Sequence, residues 1–363
     1  MLIQKQLSGL YASTILGNLS LTGAWVAILA ARGYNLIEIG IAETVFHVVS
    51  LIFEIPSGIL ADVFGRKRTL ILSTIIGMLS DLFMIFSCNL FMVCLSIGFR
   101  ALSYNFASGS GDALAYDSLK SVKMENEFEK YESNQFIIYR LCSGISTLCA
   151  GFALTIGHQI AYGTSLITGI IQILILLPLQ EICLENTNEM MDYKIGRKLI
   201  ECFKESFSFL KDSRKCIGLM LCNSFVGAFD VLLLFFLQAK LPENGMSKWW
   251  LGFALLFMEL GGIVGSRLII KLPKIRYRWV FMISLSLVTL GVLAEHSAVC
   301  LVMTLGGFIA VIADDALQVR TNAILQDMFP SEQRATLTSV ESFSFSIIMI
   351  VLSPLAGFFF TYW

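Results

Sequence analysis

Long apolar runs separated by short polar segments follow one another along the chain from Leu7 to Trp363. Each run is about the 20 residues that a helix needs to cross the hydrocarbon core of a bilayer. The runs lack the alternation of barrel strands, and backbone groups in lipid must be hydrogen-bonded within the segment, so the pattern predicts helices. The eleven predicted spans are residues 8–31, 36–60, 69–87, 90–118, 134–156, 159–179, 216–239, 249–270, 278–294, 297–319 and 337–361. The pattern predicts an all-α polytopic membrane protein.

The composition agrees with this fold class and excludes others. Hydrophobic residues make up 56% of the 363 residues and charged residues only 15%, with a mean hydropathy of +0.75, whereas a soluble domain carries about a quarter charged residues. The formal net charge of -1 provides no field that would attract nucleic acid. The nine cysteines include no C-x-x-C pair, so neither a metal site nor a disulfide framework is expected.

The distribution of lysine and arginine predicts the orientation of the spans. With the N-terminus in the cytoplasm, the inner segments hold 21 of these residues and the outer segments three. Positively charged loops are retained on the cytoplasmic side of a membrane. We therefore expect a multi-pass protein of the cytoplasmic membrane with a cytoplasmic N-terminus and, after eleven spans, an extracellular C-terminus.

The sequence also repeats itself at a nearly constant displacement. Glu54 in span two matches Glu259 in span eight, 205 residues later, and the tripeptide D-A-L at Asp112 matches D-A-L at Asp315, 203 residues later. Repeats in the same orientation are typical of transporters built from two related halves. At this displacement, a sixth span of the second half would follow Trp363, so the second half is expected to have five spans.

The repeat predicts two pseudo-symmetric helical bundles. The first is a six-span bundle over residues 1–180, and the second is a five-span bundle over residues 216–363. Residues 181–215 join them and carry apolar side chains at three- to four-residue spacing, which predicts a cytoplasmic amphipathic linker lying on the membrane.

The segment between the second and third spans reads G-I-L-A-D-V-F-G-R-K-R from Gly58 to Arg68. It resembles the loop signature of the major facilitator superfamily, G-x-L-A-D-x-x-G-R-K-x, in the position where that family carries it. The resemblance implies that fold, with rocking bundles and a cytoplasmic latch that holds the outward-facing state. The latch residues would be Gly58, Asp62, Gly65, Arg66, Lys67 and Arg68, with Asp112 and Asp117 as partners of Arg66.

Further segments resemble a bacterial efflux-like branch of this superfamily. They read F-E-I-P-S from Phe53, D-A-L-A-Y-D-S-L from Asp112 and P-S-E-Q-R-A-T from Pro330. The resemblance covers roughly residues 10–360. By this alignment we expect the chain to lack the twelfth transmembrane helix of the family.

Polar side chains within the predicted spans mark a candidate transport path, because an ionisable group at mid-membrane costs at least about 2.5–3.5 kcal/mol. Arg100, Tyr104 and Asp112 share a face of span four because multiples of four residues separate them. In the superfamily, spans one, four, seven and ten line the central cavity. The resulting substrate-cavity candidates are Asn18, Thr22, Trp25, Arg100, Tyr104, Asn223, Asp230 and Asp315.

Four residues are candidates for proton coupling: Glu43, His47, Arg100 and Asp230. Glu43 and His47 stand one helical turn apart on span two, and histidine changes its charge near physiological pH. Arg100 falls where the superfamily often places an arginine linked to proton coupling. Asp81, in span three, has no role that the sequence explains.

Together these features predict a secondary active transporter, not an enzyme, that exports small amphipathic molecules by proton antiport and alternating access. No G-x-x-x-x-G-K-[ST] signature occurs, so the proton gradient is expected to supply the energy, without a cofactor. The expected partners are a small-molecule substrate and the lipid bilayer, and we expect a monomer. Two alternatives stay open: a proton-coupled nutrient uptake symporter, and a non-transporting paralogue that acts as a sensor or scaffold.

Overall fold

The computed structural model describes residues 2–181, 214–328 and 334–362, and all regular secondary structure in these ranges is helical. This confirms the predicted all-α fold class. The α-helices are α1 (Leu2–Asn18), α2 (Trp25–Ala31), α3 (Leu36–Phe64), α4 (Arg66–Phe86), α5 (Leu90–Ala107), α6 (Ser110–Ser121), α7 (Phe128–Leu148), α8 (Ala150–Ile156), α9 (His158–Leu176), α10 (Arg214–Glu243), α11 (Lys248–Ile270), α12 (Tyr277–Glu295), α13 (Cys300–Met328) and α14 (Arg334–Tyr362). Of the predicted amphipathic linker, residues 181–215, the structure describes only Glu181 and the residues Arg214 and Lys215 that begin α10.

Each predicted span coincides with one helix or with two consecutive helices. Among the described residues, nine segments are long and apolar enough to cross a membrane, and a tenth results if the bent pair α7 and α8 forms one span. The protein is therefore a multi-pass membrane protein.

The first predicted span, residues 8–31, is not among these segments, and its interruption is longer than those between α5 and α6 or between α7 and α8. Helix α1 ends at Asn18 and α2 begins at Trp25, so residues 19–24 are not α-helical. The hydroxyl of Ser146 on α7 bridges the interruption: it donates to the carbonyl of Asn18 (3.0 Å) and accepts from the backbone N–H of Ser20 (3.0 Å). A side chain thus supplies bonds that a continuous helix would make itself.

The chain folds into two compact units. Of the described residues, unit 1 contains 2–181, 247–253 and 353–362, and unit 2 contains 214–246, 254–328 and 334–352. One buried cluster in unit 1 consists of Leu10, Leu114, Ala115, Tyr131, Leu176 and Leu179. One in unit 2 consists of Cys216, Leu219, Met220 and Leu325. The predicted division at residues 180 and 216 stays a prediction.

In unit 1, α4 and α5 pack against each other through two pairs of serines. The hydroxyl of Ser73 donates to the carbonyl of Ser103 (2.9 Å), and the hydroxyl of Ser103 donates back to the carbonyl of Ser73 (2.8 Å). Seven residues along, Ser80 and Ser96 exchange the same two bonds at 2.7 and 2.8 Å. Small side chains let the backbones approach, and the hydrogen bonds fix the register of the two helices.

In unit 2, α12 and α13 make contacts with the same spacing. The hydroxyl of Ser284 donates to the carbonyl of Ala313 (2.7 Å). Seven residues along, Gly291 and Gly306 lie so close that a Cβ atom on Gly291 would be 2.9 Å from the carbonyl oxygen of Gly306. The two helix pairs therefore pack alike, although only unit 1 has a hydroxyl at all four positions.

Candidate functional site

A cavity of about 540 Å³ lies within unit 1, lined by residues of α1, α4, α5, α6, α7 and α9 and of the segment between α1 and α2. Four of the residues predicted to line a cavity do so: Asn18, Thr22, Arg100 and Tyr104. Trp25, at the start of α2, is not among the lining residues. The volume lies within the range of small-molecule sites.

Arg100 on α5 forms an ion pair with Asp81 on α4, and both side chains line the cavity. Asp81 is 3% exposed, whereas the Arg100 side chain is 40% exposed. The serine pairs on either side fix the register that brings these two residues together across the helix interface. The pair accounts for the acid in span three that the sequence leaves unexplained, and it neutralises the charge of Arg100.

Glu43 and His47 on α3 are in contact, as their one-turn spacing predicts. His47 Nε2 lies 3.2 Å from Glu43 Oε1, and both residues are buried. Neither is among the residues that line the unit-1 cavity. Their role in proton coupling stays a prediction.

Arg66, at the start of α4, forms an ion pair with Asp117 on α6 at 2.5 Å. Lys67 Nζ donates to the carbonyl of Leu177 at the end of α9 (2.7 Å). The signature segment is thus tied to two other helices of unit 1. Asp112, the other expected partner of Arg66, instead lines the cavity and forms no ion pair with any residue that the structure describes.

Glu181, which the sequence does not single out, caps α4. Its Oε1 accepts from the backbone N–H of Lys67 (3.1 Å) and its Oε2 from that of Arg68 (3.2 Å). These N–H groups belong to the first turn of a helix, where intrahelical partners are missing and a negative charge is favoured. Because Gly65 has φ +96° and a Cβ there would lie 2.7 Å from the Glu181 carboxylate, glycine suits this position.

The structure describes less of the other residues of the signature segment. Gly58 and Asp62 belong to α3, but the surroundings of Gly58 and the side chain of Asp62 lie outside what the structure describes. The Arg68 side chain is exposed, and its backbone N–H makes the bond to Glu181. The latch function of the segment stays a prediction.

Unit 2 has carboxyl groups in its membrane-spanning interior. Asp230 on α10 is 4% exposed, and its Oδ1 has no hydrogen-bond partner among the described residues. The charge of Asp314 on α13, and then that of Asp315, acts on Asp230. A Cβ on Gly227, one turn before Asp230, would lie 3.5 Å from Asp314 Oδ1, so Asp314 lies against the same face of α10. Neither Asp230 nor Asp314 forms an ion pair within the described ranges.

Asp315 is directed to a different helix. A Cβ on Gly262 of α11 would be 1.9 Å from Asp315 Oδ2, so the carboxylate occupies the space that the missing side chain leaves. In unit 1, a contact between Ser50 and Asn105 joins α3 and α5, and in it the Asn105 amide donates to the carbonyl of Ser50 (2.8 Å). Adjacent aspartates of α13 thus meet two different helices.

Asn223, predicted as a cavity residue, donates its amide N–H to Glu341 Oε1 on α14 (3.1 Å). The structure also adds residues to the set of candidate site residues predicted from the sequence: Asp81, Glu132, Asp314, Glu341 and Glu181. Glu132 lies on α7 and lines the unit-1 cavity. An ionisable residue within an apolar run is a sequence signal for Asp314, but the partners of Asp81 and Glu341 depend on tertiary contacts.

Metal binding finds no support in the part of the chain that the structure describes. No group of three or more histidine, cysteine, aspartate or glutamate side chains there is arranged to hold a metal ion. The seven cysteines in those ranges are free thiols.

These observations define a polytopic helical membrane protein with a polar cavity and buried charges in its spans. The chain belongs to the Major Facilitator Superfamily, whose sequence profile matches residues 7–317. It is 23% identical over 331 residues to the uncharacterized MFS-type transporter YxaM of Bacillus subtilis (strain 168), covering 88% of this chain and 79% of that protein. The predicted family is confirmed, and the chain is an MFS transporter.

Solved structures share its fold at low sequence identity. The nucleoside transporter NupG has a TM-score of 0.71 at 15% identity, over 98% of this chain and 90% of that one. A mutant of the peptide transporter POT in complex with alafosfalin has a TM-score of 0.73 at 14% identity, over 98% and 88%. The D-xylose-proton symporter has a TM-score of 0.65 at 12% identity, over 96% and 87%. They show the fold alone.

Proposed function

We propose that this protein is a proton-coupled exporter of small molecules, in which Asp230 and Asp314 hold the coupling proton. The main support is that Asp230 on α10 and Asp314 on α13 lie at the same face of α10. Neither carboxyl group forms an ion pair with a described residue. Two carboxyl groups whose charges interact in a low-dielectric interior favour a state in which one of them holds a proton. Release and capture of that proton would drive the transport cycle.

The remaining elements of the proposal come from the sequence. The lysine and arginine distribution supports a cytoplasmic-membrane protein with its N-terminus inside. Export in exchange for entering protons follows from the resemblance to the efflux-like branch. The similar structures are named as nucleoside, peptide and xylose-proton transporters, so proton coupling and small polar substrates both occur on this fold.

Inverted membrane vesicles test the coupling and its direction together. Respiration acidifies the vesicle interior, and an exporter that exchanges substrate for protons discharges this gradient when substrate is added outside. We expect at least one of four probes (chloramphenicol, uridine, xylose or neamine) to discharge the gradient in wild-type vesicles, and Asp230→Asn and Asp314→Asn to abolish the response.

Asp327→Asn is the matched control, because Asp327 is an exposed aspartate on α13, the helix that carries Asp314. This variant should respond as the wild type does. The neutral variants should still exchange labelled substrate for unlabelled substrate, a reaction that needs no net proton movement. A wild-type response to no probe, or an unchanged response in Asp230→Asn, would contradict the proposal. A probe that enters right-side-out vesicles together with protons would reverse the proposed direction.

A further inference from the structure

Of the 27 residues that line the cavity of unit 1, 18 have side chains that can form hydrogen bonds. Hydroxyl and amide side chains from several helices reach it, among them Ser13, Asn18, Thr168 and Gln172. Some of these are already fixed by each other, as where the Gln172 amide donates to the Ser13 hydroxyl (3.0 Å). Hydrogen-bonding side chains on this many helices suit a solute with several hydroxyl or amino groups better than the amphipathic one predicted from the sequence.

Two polar atoms of the lining have no partner. Gln135 Oε1 and Ser165 Oγ are shielded from solvent and make no hydrogen bond to any described residue. The Gln135 amide nitrogen is held by the hydroxyl of Tyr131, which fixes the side chain and leaves its oxygen as a free acceptor. Shielded polar atoms without a partner cost about 1–3 kcal/mol each, so these two atoms destabilise the lining, and a solute in the cavity does not reach them.

The charges of the lining do not balance. Arg100 and Asp81 neutralise each other, which leaves Asp112 on α6 and Glu132 on α7. Neither of these two carboxylates has an ion pair within the described ranges, and the charge of Asp112 acts on Glu132. The cavity therefore carries an excess of negative charge that a positively charged solute would offset.

Aromatic side chains also line the cavity. Phe136 and Tyr139 lie on α7 with Glu132, and Tyr104 lies on α5. The face of an aromatic ring attracts a cationic group within about 6 Å. The Phe136 ring already has the Arg140 guanidinium 5.2 Å from its centroid, which leaves the rings of Tyr104 and Tyr139 for an ammonium group. The lining therefore offers carboxylates and ring faces to the ammonium groups of a solute. It offers hydroxyl groups to the hydroxyl groups of the same solute.

We infer that this cavity binds a hydrophilic organic cation: a molecule of about disaccharide size with ammonium groups and several hydroxyl groups. Asp112 and Glu132 bind the ammonium groups, and the serine, threonine and amide groups of the lining bind the hydroxyls. The inference names the substrate class of the transporter proposed above and rests on that function for its biological meaning.

Binding to the purified full-length protein in lipid nanodiscs tests the inference without requiring transport. The probe is neamine, a two-ring aminosugar with four amino groups, titrated by calorimetry at neutral pH and low salt. Its fully N-acetylated derivative keeps the hydroxyl groups but has no charge, and sucrose is a neutral solute of similar size. We expect neamine to bind and the two neutral compounds to bind at least about tenfold more weakly.

Variants then locate the binding. Glu132→Gln and Asp112→Asn should each weaken neamine binding by about tenfold. Glu125→Gln removes an exposed carboxylate just before α7 that is not part of the lining, and it should bind as the wild type does. Size-exclusion profiles identify any variant that misfolds, and the acetylation comparison needs only the wild type.

Three results would overturn the inference: equal binding of neamine and its acetylated derivative, unchanged binding in both carboxylate variants, or no binding of neamine. The outcome is separate from that of the proposed function. If neamine binds as described but none of the four probes discharges the proton gradient, the binding site stands and proton-coupled export fails. If a neutral sugar drives the proton response and neamine does not bind, the function stands and the cation site fails.

Discussion

The α4–α5 pair of unit 1 and the α12–α13 pair of unit 2 use the same packing geometry for different chemistry. The contacts Ser73–Ser103 and Ser80–Ser96 recur as Ser284–Ala313 and Gly291–Gly306, with the same seven-residue spacing. Packing rather than residue identity therefore aligns the two units. In this alignment each packing residue of unit 2 lies about 210 residues after its counterpart in unit 1. The sequence repeat alone suggests a displacement of 203–205 residues.

This alignment shows what unit 2 has in place of the ion pair. Asp81 follows Ser80 directly, and Val292 follows Gly291; Arg100 lies four residues after Ser96, and Ala310 lies four residues after Gly306. The helix interface that holds a salt bridge in unit 1 is thus apolar in unit 2.

The acids of unit 2 stand where unit 1 has uncharged groups. Asp314 and Asp315 directly follow Ala313, as Tyr104 and Asn105 follow Ser103. Unit 1 therefore contains a charge that is already paired, and unit 2 contains charges that a proton can neutralise. The same helix packing thus supports an ion pair beside a polar cavity in one unit, and buried carboxyl groups without an ion pair among the described residues, which we propose as the proton site, in the other.

The largest effect is expected from breaking the ion pair on one side. Arg100→Leu leaves the buried Asp81 without a partner and should cost about 3 kcal/mol of unfolding free energy, because an uncompensated buried charge is strongly destabilising. Asp81→Leu should cost less, since the Arg100 side chain is 40% exposed and retains contact with water. Unfolding of the purified protein in mixed micelles measures both.

The double variant Asp81→Leu/Arg100→Leu sharpens the comparison, because it converts the interface to the apolar type of unit 2. It should recover most of the stability that Arg100→Leu loses. A double variant whose loss equals the sum of the two single losses would show that the ion pair makes no coupled contribution.

An intermediate effect is expected where an α5 or α13 side chain meets the neighbouring helix. Gly262→Ala places a Cβ in the space of the Asp315 carboxylate and should cost about 1–3 kcal/mol through overpacking. The matched change in unit 1, Ser50→Ala, removes the hydroxyl bond to Asn105 and should cost about 1 kcal/mol. Thermal unfolding of both variants measures the difference, and equal costs would contradict the tighter packing in unit 2.

The smallest effect is expected from single hydroxyl groups at the helix interfaces. Ser73→Ala and Ser284→Ala each remove one interhelical bond to a carbonyl and should cost about 0.6 kcal/mol, the average for such bonds in a membrane protein. Unfolding in mixed micelles should give nearly equal values for the two units. A cost several times larger in unit 1 alone would show that its serines act as a cooperative set.

Local pattern was sufficient to predict the helices and the contacts within them. The apolar runs identify the spans because length and hydropathy are properties of single segments, and the four-residue spacing of Glu43 and His47 predicts their contact. Contacts between helices were less predictable. Arg100 and Asp81 are 19 residues apart on separate helices, and only the register of α4 against α5 brings them together.

The interruption of the first span was also hidden from the sequence, because the run is apolar on both sides of residues 19–24. Its polar residues, including Asn18 and Ser20, became informative only with their partner on α7. The cap that Glu181 supplies to α4 depends on a contact over more than 110 residues. Tertiary hydrogen bonds of this range leave no periodic signal.

The interruption between α1 and α2 has a consequence for biogenesis. Ser146, which bridges it, is synthesised 126 residues after Ser20. Until α7 reaches the membrane, backbone groups of the first span lack the partner that this serine provides, and lipid offers no replacement. The first span to leave the ribosome is therefore among the later ones to be completed, and the nascent chain must keep it shielded or hydrated until the fifth span arrives.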